Sequence, residues 1–436
     1  MKPAPLFALV DGNNFYVSCE RHFRPSLCGR AVVVLSNNDG CAVARSNEAK
    51  AMGIKMGQPF FEIRRNHPEG SVVALSANFG LYGDMSNRMM SVAAGLGPEQ
   101  EIYSIDESFI DVAGVRDITR RAVHVRQRIL DWVGIPCGIG IGPTKTLAKL
   151  GNFVAKTAER KPGSYPAELA RVANLAALPA SDFEAVLAAT ELGEIWGIGR
   201  RIGKQLNDAG LTTALDVVRL DPAMVRRRWG VVLERTVREL QGFPCLDMET
   251  QPQAKKEIAS TRSFGRPVTE LVDLVEAVTE FAQRAAEKLR RQGSVAGQVS
   301  VFVHTSPFRK HDEQYSRSIV VPLRKPTADT AHLVGAAVAG MRAIYRPGYN
   351  LAKAGVHLLD LQDGAVEQGE LDLDEGVQDR GTLMSALDDL NRRYGRGTIT
   401  MGSAGTAGER RQWSMRQERK TPDYTTSWKD MPMVLA

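Results

Sequence analysis

The chain has 436 residues, 43% of them hydrophobic and 24% charged, with a formal net charge of +6 and a pI near 9.0. That length exceeds a single hydrophobic core, so several domains are expected. No apolar run approaches the roughly 20 residues that span a bilayer. Asp11 interrupts the N-terminal MKPAPLFALV too early for a secretory signal, so a cytoplasmic protein with no membrane partner is expected.

In chain order, LFALV (6–10) predicts a strand that delivers Asp11 at its end, and FYVSCERH starts a helix. AVVVLS (31–36) predicts a buried strand, NNDG (37–40) a turn and CAVAR (41–45) a second strand. SNEAKAMG predicts a short helix that Gly53 stops. YGDMSNRMMSVAAGL (82–96) has helical spacing, and EIYSIDESFIDVAG reads as one strand. HVRQRILDWVG (124–134) predicts an amphipathic helix, GIGIG (138–142) a strand and KTLAKLGNFVAK (145–156) a helix. Strands alternating with helices over the first 160 residues argue for an α/β domain.

A Pro-, Ala- and Ser-rich stretch near 162–182 leads into a helical block that contains WGIGRRIGKQL and closes with VVLERTVRELQG. From 251 to 360, EIASTRSFG, GQVSVFVHT and AGVHLLDL predict strands, with helices near 270–291 and 328–343. That block holds 16 lysines and arginines against 10 acids, so it is net basic. Residues 363–380 form an acidic linker, followed by a short helix, MSALDDLNRRYG, and a polar tail that includes TPDYTTSWKDMP. The five cysteines, Cys19, Cys28, Cys41, Cys137 and Cys245, are odd in number and lack CxxC spacing, which argues against a disulfide framework or a zinc site.

Asp106 and Glu107 stand side by side in an apolar stretch. An isolated DE pair is usually a solvated edge or turn. Here a third carboxylate, Asp11, ends another apolar run that could lie beside it, and three acids on one sheet repel unless a cation compensates. All-oxygen ligation suits Mg²⁺, and two such ions would support in-line phosphoryl transfer. GIGRRIGKQL (197–206) has the form of a helix-hairpin-helix, whose glycines let backbone N–H groups approach a phosphate without reading base sequence. An ordinary helical hairpin is the alternative there.

These stretches, with DGNNFYVSCE, VVVLSNNDGCAVARSNEAKAMGIKMGQP, YGDMSNRMM, GIGPTKTLAKLGNFVAK and TRSFGRPVTE, resemble the Y-family of translesion DNA polymerases, in particular its UmuC-type branch. The resemblance implies an α/β (α+β multidomain) right hand. Its palm would be 1–17 and 80–165, fingers 18–79, a helical thumb 166–245, a little finger 252–360, and an acidic linker with a partner-binding C-terminal region 361–436. It implies an error-prone, template-directed polymerase of the SOS response, acting on primed DNA and dNTPs with two Mg²⁺ ions.

The family's catalytic triad falls on Asp11, Asp106 and Glu107, with the Gly12 carbonyl as a further metal ligand. Tyr16, beside Phe15, matches the steric gate that collides with a 2′-hydroxyl, and Lys156 matches the lysine that holds the triphosphate. Where many members use Thr, Tyr and Arg in the fingers, this chain has Ala44, Asn47 and Lys50. Lys50 keeps charge without a bidentate fork, and Arg45 is a candidate substitute. Gly40, Ala42 and Ala44 would leave a roomy pocket around the nascent pair, which fits damage tolerance. DNA contacts are expected at Gly197, Gly199, Arg200 and Lys204 in the thumb and at Lys256, Arg262 and Arg266 in the little finger.

The sliding-clamp motif is degenerate: ELDLD (370–374) keeps Leu371 and Leu373 but places Asp374 where an aromatic is expected, so weak clamp binding is predicted. The resemblance of 380–436 implies a processed UmuD-type dimer and a RecA filament as partners. Two rivals belong to other classes. A non-catalytic scaffold docking clamp, recombinase and another polymerase would be expected to lose the acids. A palm-fold cyclase would have no need of the hairpin or the basic block.

Overall fold

The computed structural model describes residues 3–251, 253–365, 380–395, 397–405, 411 and 413–432. By their contacts they fall into two units: Met1–Ser36 with Gly40–Pro252 and Arg419–Ala436, and Asn37–Asp39 with Gln253–Glu418. The clamp-motif leucines Leu371 and Leu373 lie outside the described residues. No helix among the described residues is long and apolar enough to cross a membrane.

In the first unit the chain runs β1 (Phe7–Gly12), α1 (Phe15–Phe23), β2 (Ala31–Leu35), β3 (Ala42–Arg45), α2 (Asn47–Ala51), α3 (Phe60–Asn66), β4 (Val72–Ser76) and α4 (Phe79–Ala93). It continues with β5 (Glu99–Ile102), β6 (Glu107–Asp111), α5 (Ile118–Val133), β7 (Cys137–Gly142), α6 (Lys145–Arg160) and β8 (Val172–Asn174). The wholly apolar β2 pairs antiparallel with β3 and parallel with β4, making a small sheet within residues 18–79. The larger sheet has the order β5-β6-β1-β7-β8, with β1 at its centre. Five helices follow: α7 (Ala180–Ala188), α8 (Arg200–Asp208), α9 (Ala214–Val218), α10 (Pro222–Trp229) and α11 (Val231–Leu240). Side-chain caps set several starts: Ser46 accepts from the Ala49 N–H, Asn78 from Leu81 and Thr144 from Leu147. The Asn78 cap starts α4 three residues before the stretch that the spacing had predicted.

The stretch read as one strand is a hairpin. β5 ends at Ile102, residues 103–106 turn, and Glu107 opens β6. Ile102 and Tyr103, both in that apolar stretch, are 60% and 45% exposed, because they lie on the edge strand and in the turn. The acids therefore stand at a hairpin end rather than inside an apolar face.

The second unit runs β9 (Ile258–Val268), α12 (Leu271–Arg291), β10 (Ser294–Thr305), β11 (Ser316–Thr327), α13 (Thr330–Ile344), β12 (Leu351–Asp363) and α14 (Gly381–Tyr394). Its antiparallel sheet has the order β11-β10-β12-β9, and α12 and α13 supply the other half of its core. β11 escaped the sequence reading because it is an edge strand with Pro322 inside it, where a proline costs little. Trp413 is buried in this core, and α14 docks through Met384 and the Arg290–Asp388 pair, with two hydrogen bonds of 2.7 Å.

Glycines 138, 140 and 142 of β7 let α6 lie directly on the sheet. A Cβ on Gly140 would fall onto the backbone of Ala148 and Asn152. Gly140→Ala is expected to cost about 3 kcal/mol by overpacking. Gly83→Ala, on α4 with open space around it, is expected to be neutral or better. Urea unfolding of the two variants checks this, and equal midpoints would rule out the close contact.

Candidate active site

Strand pairing assembles the acids. Asp11 lies opposite Glu107 in the β1–β6 register, and the Gly12 N–H donates to the Asp106 carbonyl at 2.9 Å. Ser104 organises the hairpin end: its hydroxyl donates to Asp106 Oδ1 at 2.6 Å and accepts from the Asp106 and Glu107 N–H groups at 3.2 and 3.1 Å.

On the other side of β1, β7 brings in α6. Asp11 is also paired with Gly138, over whose missing side chain the Lys156 stem passes. Lys156 Nζ thereby reaches Asp11 Oδ1 at 2.6 Å, and Lys149 Nζ reaches Glu107 Oε2 at 2.9 Å. Lys149 also lies 4.7 Å from the Tyr103 ring centroid and 5.0 Å from that of Trp196.

Asp11, Gly12, Asp106, Glu107, Lys149, Lys156 and Trp196 line one cavity of about 1180 Å³. Burial pushes the Asp11 carboxyl up to about 6; the charge of Lys156 opposes that rise, while Glu107 and Asp106 add to it by repulsion. Three carboxylates and the Gly12 carbonyl make an all-oxygen donor set that suits a hard divalent cation. Among the described residues no three acid, His or Cys side chains converge tightly enough to ligate as they stand. Asp11 and Glu107 instead face the two lysines, which balance their charge.

The cavity also has a basic wall. Lys50 donates to Asn14 Oδ1 at 2.6 Å, and Arg45 Nη1 to the Ile54 carbonyl at 2.7 Å. Arg45 Nε is buried with no partner among the described residues. Burial, followed by the charges of Arg160, Arg45 and Lys156, pulls the Lys50 pKa down to about 8. An anion placed here would relieve both groups. Tyr16, half-buried on α1, stacks on Tyr82 with centroids 4.4 Å apart at 14°, and Phe79 meets its edge at 6.1 Å. Phe15 is almost fully buried beneath it. Of the three small fingers residues, only Ala44 lines the cavity; Ala42 is buried within β3, and Gly40 lies outside it.

Gly197 and Gly199 reach the cavity rim. Gly197 has φ +93°, and its missing side chain leaves room for Thr236; Gly199 is the N-cap of α8, from which Arg200 and Lys204 are exposed. In the second unit, Lys256 and Arg266 are exposed. Arg262, expected at a phosphate, is committed elsewhere. Its side chain is 19% exposed, lies 3.8 Å from Glu280 and sits 5.6 and 5.4 Å from the Phe281 and Trp413 ring centroids. The alternation of β9 turns it toward α12.

Sequence reasoning missed Lys149, Arg160 and Asn14. Lys149, Lys156 and Arg160 are seven and four residues apart, one stripe along α6, and that spacing was the available signal. Asn14 had none, since its role depends on a left-handed backbone, φ 48°, just before α1.

The chain matches the impB/mucB/samB family over residues 10–152 and that family's C-terminal domain over 255–371, while 381–434 match a domain of unknown function. It is 43% identical over 434 residues to protein UmuC of Salmonella typhimurium, covering 98% of this chain and 100% of that one. It is 40% identical to protein ImpB of Salmonella typhimurium over 433 residues, 98% and 99% of the two chains. A solved chimera of the Y-family DNA polymerases Dbh and Dpo4 shares the fold, with a TM-score of 0.62 at 18% identity, over 82% of this chain and 99% of that one. The family match and the full-length likeness agree with the cavity and its acids: the chain belongs to the impB/mucB/samB family, a UmuC-type member of the Y-family DNA polymerases.

Proposed function

We propose that this DNA-directed DNA polymerase performs error-prone translesion synthesis in the SOS response, joining a dNTP to a primer 3′-hydroxyl with two Mg²⁺ ions. The observation that carries the reading is a single cavity lined both by three carboxylates, Asp11, Asp106 and Glu107, and by the cations Lys50, Arg45, Lys156 and Arg160. Asp11, Asp106, Glu107 and the Gly12 carbonyl would hold the ions, which when bound lower the pKa of the attacking hydroxyl and neutralise the leaving group.

The chain's own groups do the rest. The basic wall binds the triphosphate. The Tyr16 ring, backed by Tyr82, stands against a ribose 2′-hydroxyl. The small side chain of Ala44 puts little shape selection on the nascent pair. The hairpin residues Gly197, Gly199, Arg200 and Lys204 hold the DNA backbone, as do Lys256 and Arg266. Family membership further supports a processed UmuD-type dimer and a RecA filament as partners, weak clamp binding through Leu371 and Leu373, and a cytoplasmic location.

Primer extension with Mg²⁺ on undamaged and abasic templates tests the reading, with and without a UmuD-type dimer and a RecA filament. Asp106→Ala is expected to lower extension by about a thousandfold or more while primed DNA still binds. If wild type and variant are equally inert in every arm yet both bind primed DNA, the scaffold reading replaces this one.

Lys50 in the free enzyme is charged below about 8 and loses its proton above it. Accordingly kcat/KM for a dNTP should fall as pH rises past that value, and Lys50→Arg should flatten the decline. A flat wild-type profile would remove Lys50 from the triphosphate site.

Asp11 makes a stability prediction. Its folded pKa, about 6, lies above the ordinary carboxyl value of 3.8, so the folded state binds the proton more tightly. The stability this contributes is fully present below the unfolded value and is lost as pH rises through the folded one. Asp11→Asn should therefore stabilise the metal-free protein by up to about 2 kcal/mol near pH 8 and by almost nothing near pH 4. Urea titrations in EDTA check this; no gain near pH 8 would mean that the loss of the Lys156 contact dominates.

A further inference from the structure

Residues 419–430 belong to the domain of unknown function, yet they pack within the first unit. The contact is made of buried polar groups. Asn78, fully buried, caps α4 with its oxygen, while its amide donates to the Thr421 carbonyl at 3.2 Å, the Thr421 hydroxyl at 3.3 Å and the Pro422 carbonyl at 3.1 Å. Arg419 and Ser76 exchange two hydrogen bonds, of 2.9 and 3.1 Å. The Tyr424 ring stacks on Phe23, with centroids 4.9 Å apart at 11°.

Glu20 is the junction. It is fully buried on α1, and its Oε1 accepts from the Thr421 hydroxyl at 3.1 Å and from the Tyr82 hydroxyl at 2.7 Å. The Tyr82 ring, so held, is the one that stacks on Tyr16. Tyr16, Glu20 and Phe23 occupy one face of α1 at positions i, i+4 and i+7. One helix face thus carries the gate ring, the carboxylate that fixes its backing ring, and the aromatic that the tail covers. A buried carboxylate engaged by two hydroxyls constrains both strongly, since losing either bond leaves desolvated polar atoms unmatched.

We propose that the C-terminal segment 419–426 is an intramolecular strap, and that Thr421, through Glu20 and Tyr82, is a positioning residue for the Tyr16 sugar gate. This rests on the polymerase reading above, in which Tyr16 selects against ribose. The strap adds to that reading a role for a distant part of the chain in nucleotide choice. A gate discriminates by contact, so a small displacement of its ring changes selectivity more than it changes overall turnover.

The test uses the full chain with primed template and Mg²⁺, measuring kcat/KM for dATP and for ATP opposite template dT. Thr421→Val, which keeps shape and removes the hydroxyl, should lower the dATP/ATP ratio roughly tenfold, chiefly through faster ATP use. Thr421→Ser should restore it, which a merely structural role for the methyl group would not predict. Tyr16→Ala is the control. If it relaxes sugar choice while Thr421→Val leaves the ratio unchanged, the strap proposal is overturned and the gate stands. If Tyr16→Ala leaves the ratio unchanged, the gate reading fails and the proposal falls with it.

Docking is read separately from activity. A Cβ at Gly80 would lie 3.6 Å from Thr426 Oγ1, so Gly80→Cys with Thr426→Cys, in a Cys28→Ser background to remove the exposed thiol, should form a disulfide under diamide. Peptide mass mapping detects the link, and its absence would overturn the strap.

Discussion

Helix α6 can rest on β7 only because Gly138, Gly140 and Gly142 carry no side chains, and the charge balance of the active site follows from that contact. A helix held one side-chain layer farther out would carry Lys149 and Lys156 away from Glu107 and Asp11. At the observed distance the two ammonium groups meet the two carboxylates, and Arg160, one turn further on, adds to the basic wall. A packing requirement in a strand thus becomes an electrostatic arrangement in a cavity.

That arrangement is not one of maximum stability. Asp11 is buried enough that desolvation raises its pKa despite a lysine in direct contact, and Lys50 is depressed by burial and its cationic neighbours. Each is strained in the sense that its opposite-charge partners are insufficient. Sites that bind highly charged ligands commonly hold such frustrated groups, because the ligand supplies what the fold withholds. Acids and bases share one cavity because β1 and the β5–β6 hairpin fix the acids while α2, β3 and α6 fix the bases.

The C-terminal region is divided in its allegiance. Residues 380–418 complete the second unit, where Trp413 joins the core and α14 is clasped by the Arg290–Asp388 pair. Residues 419–432 complete the first, where Asn78 and Glu20 are fully buried and find partners in the tail. Trp413 also accounts for Arg262: the indole, Phe281 and Glu280 together form its binding place, so its charge is used inside the unit.

Much of this was legible in the amino-acid order. The end-of-strand position of Asp11, the Asp106–Glu107 pair, the helical and strand periods and the helix-hairpin-helix glycines are local patterns, and local backbone preferences determine them. Family resemblance added the roles proposed for Tyr16 and Lys156. Tertiary structure decided what depends on partners distant in sequence. It split the apparent DE strand into a hairpin, because strand pairing with β1 competes with local propensity. It turned Arg262 inward, because a residue 151 positions later supplies an aromatic wall. It brought Thr421 to Glu20, 401 residues away, where no period or composition could have signalled the bond. Side-chain chemistry is written in the order of residues, but which buried group satisfies which is settled only when the chain closes on itself.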